Sequence, residues 1–396
     1  MALGVGANVS GAADEALSYR VSVESPVNAP NEPSYWFQAR AGVVAPDDKL
    51  DRVVMTAQLI DSVGTHMYHG VASMWSVDLG KTWQGPTPQP TMVPLKIDED
   101  LSENPIDMTP MWHKKTGKLL VTGGSLIVSK KLKKHTPGGG GATVYSVYDA
   151  EKNTWNEWRK LKLPDDPEFA YARAGCTQGV ELDDGEIMLP IYFGSGGNDG
   201  NHKVTVLRCR FDGETLSYVE HGDELTLAVK RGLGEPSLAK YGDSFYLTLR
   251  NDNGAYLATS KDGLHFEPMQ EWKFDDGQPL GSCNTQQHWV THSDGLFLVY
   301  TRNHAGNDEV FRNRAPLFMA QFDPKTGTLL RATETVLLPK VGGSEFGNFG
   351  VCNVDTAETW VTAGRGNANP NEPSIYISRI NWSKPNLLAP NSLSAP

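Results

Sequence analysis

Cysteine is scarce in this sequence: Cys176, Cys209, Cys283 and Cys352 are widely spaced, and no C-x-x-C pair occurs. That excludes a disulfide framework and a thiolate zinc site. No apolar run is long enough to span a bilayer, so no membrane partner is expected. Positive charge is also short, with 36 Lys and Arg against 47 Asp and Glu and a formal net charge of −11. Such a balance argues against nucleic acid as a partner. The one basic run, Lys130, Lys131, Lys133 and Lys134, leads into Pro137 and glycines at 138–141, and reads as a solvated loop. Histidines show no H-x-x-x-H helix or tight ligand spacing, so neither metal nor cofactor is expected. Residues 1–16 lack the basic start and compact apolar core of a signal peptide, which leaves the compartment open between cytoplasmic and, after removal of a signal, secreted or periplasmic.

Helical periodicity is scarce too. Short runs rich in Val, Ile, Leu and Tyr take its place, at 52–58, 118–122, 186–193, 204–211, 245–250 and 296–301. Gly, Asp, Asn and Pro punctuate them, which is an all-β pattern. Asp-led turns follow strand-like runs at Asp78, Asp149, Asp212, Asp262 and Asp323. Their spacing of roughly 60 residues predicts about six four-stranded units, a β-propeller rather than two β-sandwiches. No linker divides the chain. One domain is expected over 31–385, with 1–30 as an extension, available for ring closure against the late strand at 374–380, and 386–396 as a tail.

The segment Ser76-Val77-Asp78-Leu79-Gly80-Lys81-Thr82-Trp83 reads S-x-D-x-G-x-T-W. Asp78 suits a turn that bonds its own backbone, Gly80 supplies positive φ, and Trp83 suits the apolar layer beneath. A shorter echo runs from Ser260 through Asp262 and Gly263 to Phe266. The string resembles the Asp-box of sialidases and other β-propellers, a structural turn on the outside of a blade. The resemblance extends along the chain. Arg40-Ala41-Gly42-Val43-Val44-Ala45-Pro46 looks like the arginine-led first strand of sialidases. The stretch from Arg173 through Gly175, Gly179 and Leu182 to Pro190 is similar to a strand pair of that family. Glu235-Pro236-Ser237-Leu238 leads to Arg250 at the family's separation of a site glutamate and an arginine, and Arg314-Ala315-Pro316-Leu317 resembles the third arginine strand.

The resemblance implies a six-bladed propeller and an exo-acting glycoside hydrolase that releases a terminal carboxylated sugar, such as sialic acid or a related ulosonate or uronate. Arg40, Arg250 and Arg314 would bind the carboxylate, with Arg312 and Arg302 competing for the third place. Glu235 would act on the anomeric carbon or a water. Asp61 is the first choice as acid, with His66 and His69 as rivals and Asp107 a fourth possibility or a substrate contact. Gln287 and His288 belong to an amide- and imidazole-rich cluster, Asn284-Thr285-Gln286-Gln287-His288-Trp289, suited to sugar hydroxyls. The family's late tyrosine nucleophile has no counterpart between Tyr300 and Tyr376, so inversion through water is expected unless Tyr376, Tyr68 or Tyr256 enters the site. Two other classes remain open: a lyase acting on a uronate glycan, with His69, His288 or Tyr68 as base, and a noncatalytic sugar-binding propeller.

Overall fold

A computed structural model describes residues 16–62, 67–136, 139–194, 200–282 and 284–390. His66 and Cys283 therefore lie outside the described residues. The chain is an all-β propeller. Among the described residues the strands pair into six separate antiparallel sheets of four to seven strands, and helical content is confined to short 3-10 turns. The first sheet runs Ser34–Val44, Arg52–Asp61, Tyr68–Ser76 and Gln84–Pro88 in sequence order from the axis outward. The inner strands of the next sheets are Leu101–His113, the pair Ala172–Arg173 and Val180–Glu181, Gly234–Tyr241, His288–His292 and Phe349–Asn353.

The last sheet takes its outermost strand from the beginning of the chain: Tyr19–Asn28 pairs antiparallel with Pro373–Trp382. Arg379 fastens this seam. It ion-pairs with Glu24 on the added strand and Glu358 on the neighbouring one, and stacks over Trp360 at 4.4 Å. Its Nη2 also donates to the Leu79 carbonyl at 2.8 Å, across to the turn at 76–83 of the first sheet.

That turn has a plain mechanical basis. Ser76 Oγ accepts from the Gly80 N–H, while Asp78 Oδ1 accepts from the Thr82 N–H and Oδ2 from the Thr82 hydroxyl. These bonds hold the Asp78 carboxyl down at about 2. The turn at 260–266 repeats the scheme, with Gly263 N–H on Ser260 Oγ and His265 N–H on Asp262 Oδ1. Each turn also packs against the preceding sheet in the ring. Gly80 lies under Trp360 of the last sheet, and Gly263 under Met188 of the third.

Apolar residues fill the spaces between neighbouring sheets rather than the axis. Tyr246 and Leu257 meet Trp289 and Phe322 between the fourth and fifth sheets, and Val299 and Leu317 meet Val361 and Ile380 between the fifth and sixth. Hydrophobic burial therefore holds sheet to sheet, and the axis is left for polar side chains.

Candidate functional site

The axial residues owe their direction to a repeated backbone feature. Gln38, Asp107, Cys176, Glu235 and Asn284 all have left-handed φ, between 42° and 58°: Gln38, Asp107 and Glu235 within the inner strands of the first, second and fourth sheets, Cys176 between the two short inner strands of the third, and Asn284 just before the inner strand of the fifth. In three of these sheets the ladder skips two residues at this point, between Phe37 and Arg40, Ile106 and Thr109, and Gly234 and Ser237. A bulge of this kind re-aims a side chain that a regular strand would send into the space between sheets. None of the five is glycine, so each carries backbone strain that the surrounding sheet must hold.

Two linked clusters result. In the first, Asp107 Oδ2 accepts from Arg173 at 3.2 Å and Oδ1 accepts from the Cys176 thiol at 3.0 Å. Arg40 Nη2 donates to the same sulfur at 3.0 Å and stands 3.9 Å from Asp107. Arg40 is fully buried, and its Nη1 has no partner. Burial, then the Asp107 charge, push the Cys176 thiol well above its ordinary range, so it stays protonated. Gln38 Nε2 donates to the Tyr68 hydroxyl at 3.2 Å, which brings a tyrosine from the third strand of the first sheet to this edge.

In the second cluster, Arg250 ion-pairs with Glu235 through Nη1 and bonds Asn284 Oδ1 through Nη2. Arg231 holds Asp252 with two bonds, at 3.0 and 2.8 Å, and reaches Asn284 Oδ1 at 3.3 Å. Arg312 reaches the same oxygen at 3.3 Å. Arg314 donates to the Asn284 carbonyl at 2.9 Å and to Glu345 at 3.2 Å, while its Nε has no partner. Burial pushes the Glu235 carboxyl up, but Arg250, then Arg314 and Arg231, pull it further down. It lies below the usual carboxylate range and is ionised at neutral pH. Its Oε2 has no hydrogen-bond partner among the described residues. Tyr192, His202, Arg231, Glu235, Arg250 and Asp252 line a cleft of about 50 Å³ here. A larger cavity of about 550 Å³ opens at the other ends of the inner strands, beside Gly42, Pro110, Gly179, Lys240, Thr291 and Cys352, away from the guanidinium groups.

The structure brings together Arg40, Asp107, Glu235, Arg250 and Arg314. It places the remaining candidates elsewhere or gives them other partners. Asp61 and His69 pair with each other at 2.7 Å, both largely exposed, beside a separate cavity of about 370 Å³ with Lys96 and Ser102. His288 is buried, bonded to Ser237 Oγ and Gln286 Nε2, both at 2.7 Å. Burial, then the Arg40 charge, lower it to about 3, so its imidazole is neutral. Gln287 is buried and donates to Ser282 and Thr285. Arg302 is taken by Glu334 on the far side of the fifth sheet, whereas Arg312 does join the cluster. Tyr376 packs edge-on against Phe346 in the apolar layer. Sequence reasoning did not single out Arg173, Arg231 or Asp252 as site residues, and it placed Asn284 only in the sugar-binding cluster with Gln287 and His288. Arg231 and Asp252 come from loops whose spacing does not show where they meet, and no glycine marks the left-handed positions.

No family model and no curated protein matches the chain. Solved structures do match in fold. A protein of unknown function from Dyadobacter fermentans superposes with a TM-score of 0.62 at 16% identity, covering 91% of this chain and 99% of that one. The Trypanosoma rangeli sialidase gives 0.59 at 15% identity over 93% of this chain and 60% of its own, so the chain spans about three fifths of that enzyme's length. The NanB sialidase of Streptococcus pneumoniae gives 0.58 at 11% identity, over 90% of this chain and 70% of that one. At these identities the likeness is one of fold: the chain has a sialidase-like β-propeller.

Proposed function

We propose that the chain is an exo-acting glycoside hydrolase that releases a terminal carboxylated sugar, built on a six-bladed propeller in which each sheet is one blade and the turns at 76–83 and 260–266 are Asp-boxes. The observation that supports it most is the convergence of Arg231, Arg250, Arg312 and Arg314 on the single residue Asn284, next to an ionised Glu235. Planar guanidinium groups bind a carboxylate bidentately and stay charged at any working pH.

Ionised Glu235, with Oε2 free, fits the base that draws a proton from an attacking water. Its other oxygen is fixed by Arg250, which sets its orientation. A water activated in this way inverts the anomeric centre. Tyr68 at the edge of the cluster offers the competing, retaining route. Asp61, the first choice as acid from the sequence, pairs with His69 beside a separate cavity, so the protonation of the leaving oxygen is not assigned to it. Of the three candidate bases of the lyase alternative, His288 is the least suited, since its imidazole is buried between Ser237 and Gln286. A noncatalytic anion-binding propeller is favoured by one fact, the complete burial of Arg40.

A panel of sialosides, uronides and ulosonides separates these readings. Hydrolysis releases a saturated acidic sugar, a lyase yields an unsaturated uronate absorbing in the ultraviolet, and a binding module turns over nothing. Proton NMR of the first-formed product is expected to show inverted configuration; retention removes the water route.

A further inference from the structure

Asn284 is surrounded by more donors than it can serve. Its side-chain oxygen is approached by Arg231, Arg250 and Arg312, although an amide oxygen has only two lone pairs. Its main-chain carbonyl takes Arg314. Four guanidinium groups thus meet at one neutral residue, while the nearest carboxylates, Glu235, Asp252 and Glu345, are each already paired with one arginine. Burial, then the charges of Arg314, Arg250 and Arg231, lower Arg312 below its ordinary value, the mark of cations crowded without enough counter-charge. Buried Nε of Arg314 is unpartnered as well. Like charges gathered this closely need an anion, and a carboxylate supplies two oxygens with about four acceptor sites where the amide supplies one oxygen.

We infer that the Asn284 side chain is a placeholder: its amide oxygen occupies the position of the ligand's carboxylate oxygen and must rotate aside when the ligand binds. The inference rests on reading this cluster as an acidic-sugar site and adds that the chain's own amide closes the site before a ligand binds. The left-handed backbone at Asn284, φ 48°, points the side chain into the cluster. An amide suits such a gate because it satisfies part of the hydrogen bonding without the charge that would make it permanent. Ligand binding then exchanges a neutral acceptor for an anion, which ties affinity to the charge of the ligand.

Two substitutions of opposite sign test this. Asn284→Gly removes the side chain and suits the left-handed backbone, whereas Asn284→Asp keeps its shape and adds a fixed negative charge. N-acetylneuraminate is titrated into the native chain and both variants, and the thermal midpoint of each is read with and without sulfate. The dissociation constant is expected to fall about tenfold in the glycine variant and rise about tenfold in the aspartate variant. Sulfate is expected to raise the midpoint of the glycine variant most and to leave that of the aspartate variant unmoved. Equal weakening by both substitutions makes Asn284 a ligand contact and overturns the placeholder, as does equal sulfate protection of all three proteins. If the sugar binds none of them but the sulfate order holds, the placeholder stands and the acidic-sugar reading falls.

Discussion

Arg250 joins the two halves of the candidate chemistry, since one guanidinium holds both Glu235 and Asn284. Arg250→Ala is expected to abolish measurable affinity for an acidic sugar and to lower folding stability by about 3 kcal/mol, because the mostly covered Glu235 carboxylate loses its ion-pair partner. Arg250→Lys restores the charge but not the planar fork, so calorimetric titration is expected to recover only part of the binding. His288 gives a separate signal. Its imidazole sits near 3 when folded and near the ordinary histidine value when unfolded, so its stabilising contribution is complete above about 6.5 and is lost as pH falls. Between pH 7 and 5 the loss is about 2 kcal/mol, and His288→Gln is expected to flatten that part of a urea-denaturation profile against pH. An unchanged slope would mean that the imidazole is protonated when folded. Arg40, Glu235, Arg250 and Arg314 were legible in the sequence because their neighbours resemble known strands. The four-arginine convergence was not, because Arg231, Arg312 and Asn284 come from loops whose spacing says nothing about where they meet.

At the scale of elements, one device recurs: a bulged inner strand with a non-glycine residue in left-handed conformation. Asparagine, aspartate and glutamine tolerate this conformation better than β-branched residues. Gln38→Val is expected to destabilise the protein by about 2 kcal/mol, whereas Gln38→Gly relieves the backbone and loses the bond to Tyr68. Equal destabilisation by the two, measured by chemical denaturation, would locate the cost in the side chain instead. The turn at 76–83 acts differently. Its strand, Tyr68–Ser76, runs parallel to the inner strand, so the turn lies at the end remote from the arginines. A Cβ at Gly80 would meet Trp360 at 2.9 Å on a backbone of φ 73°. Gly80→Ala is therefore expected to lower stability by about 2 kcal/mol without altering ligand affinity. The sequence announced these turns, since Ser, Asp and Gly act through local bonds. It did not announce the bulges, which exist only when neighbouring strands impose them.

For the whole molecule, the ring is held by apolar layers between sheets and by one seam where the two ends of the chain meet. Arg379 spans that seam through Glu24, Glu358, Trp360 and the Leu79 carbonyl. Arg379→Ala is expected to cost about 2 kcal/mol. Removal of Tyr19–Asn28 would bare the edge of the last sheet, with aggregation visible by light scattering. The turn spacing conveyed the strand-rich repeat, because the period is written locally, whereas the pairing of Tyr19–Asn28 with Pro373–Trp382 joins segments far apart in sequence. An acidic chain of net charge −11 that gathers arginines at one end of its axis directs anions there. The account therefore turns on whether that axis performs chemistry, and Glu235→Gln decides it. With a sialoside or uronide that the native chain cleaves, the variant is expected to lose turnover by about three orders of magnitude while its dissociation constant for the released sugar changes little. Turnover equal to that of the native chain would contradict the account.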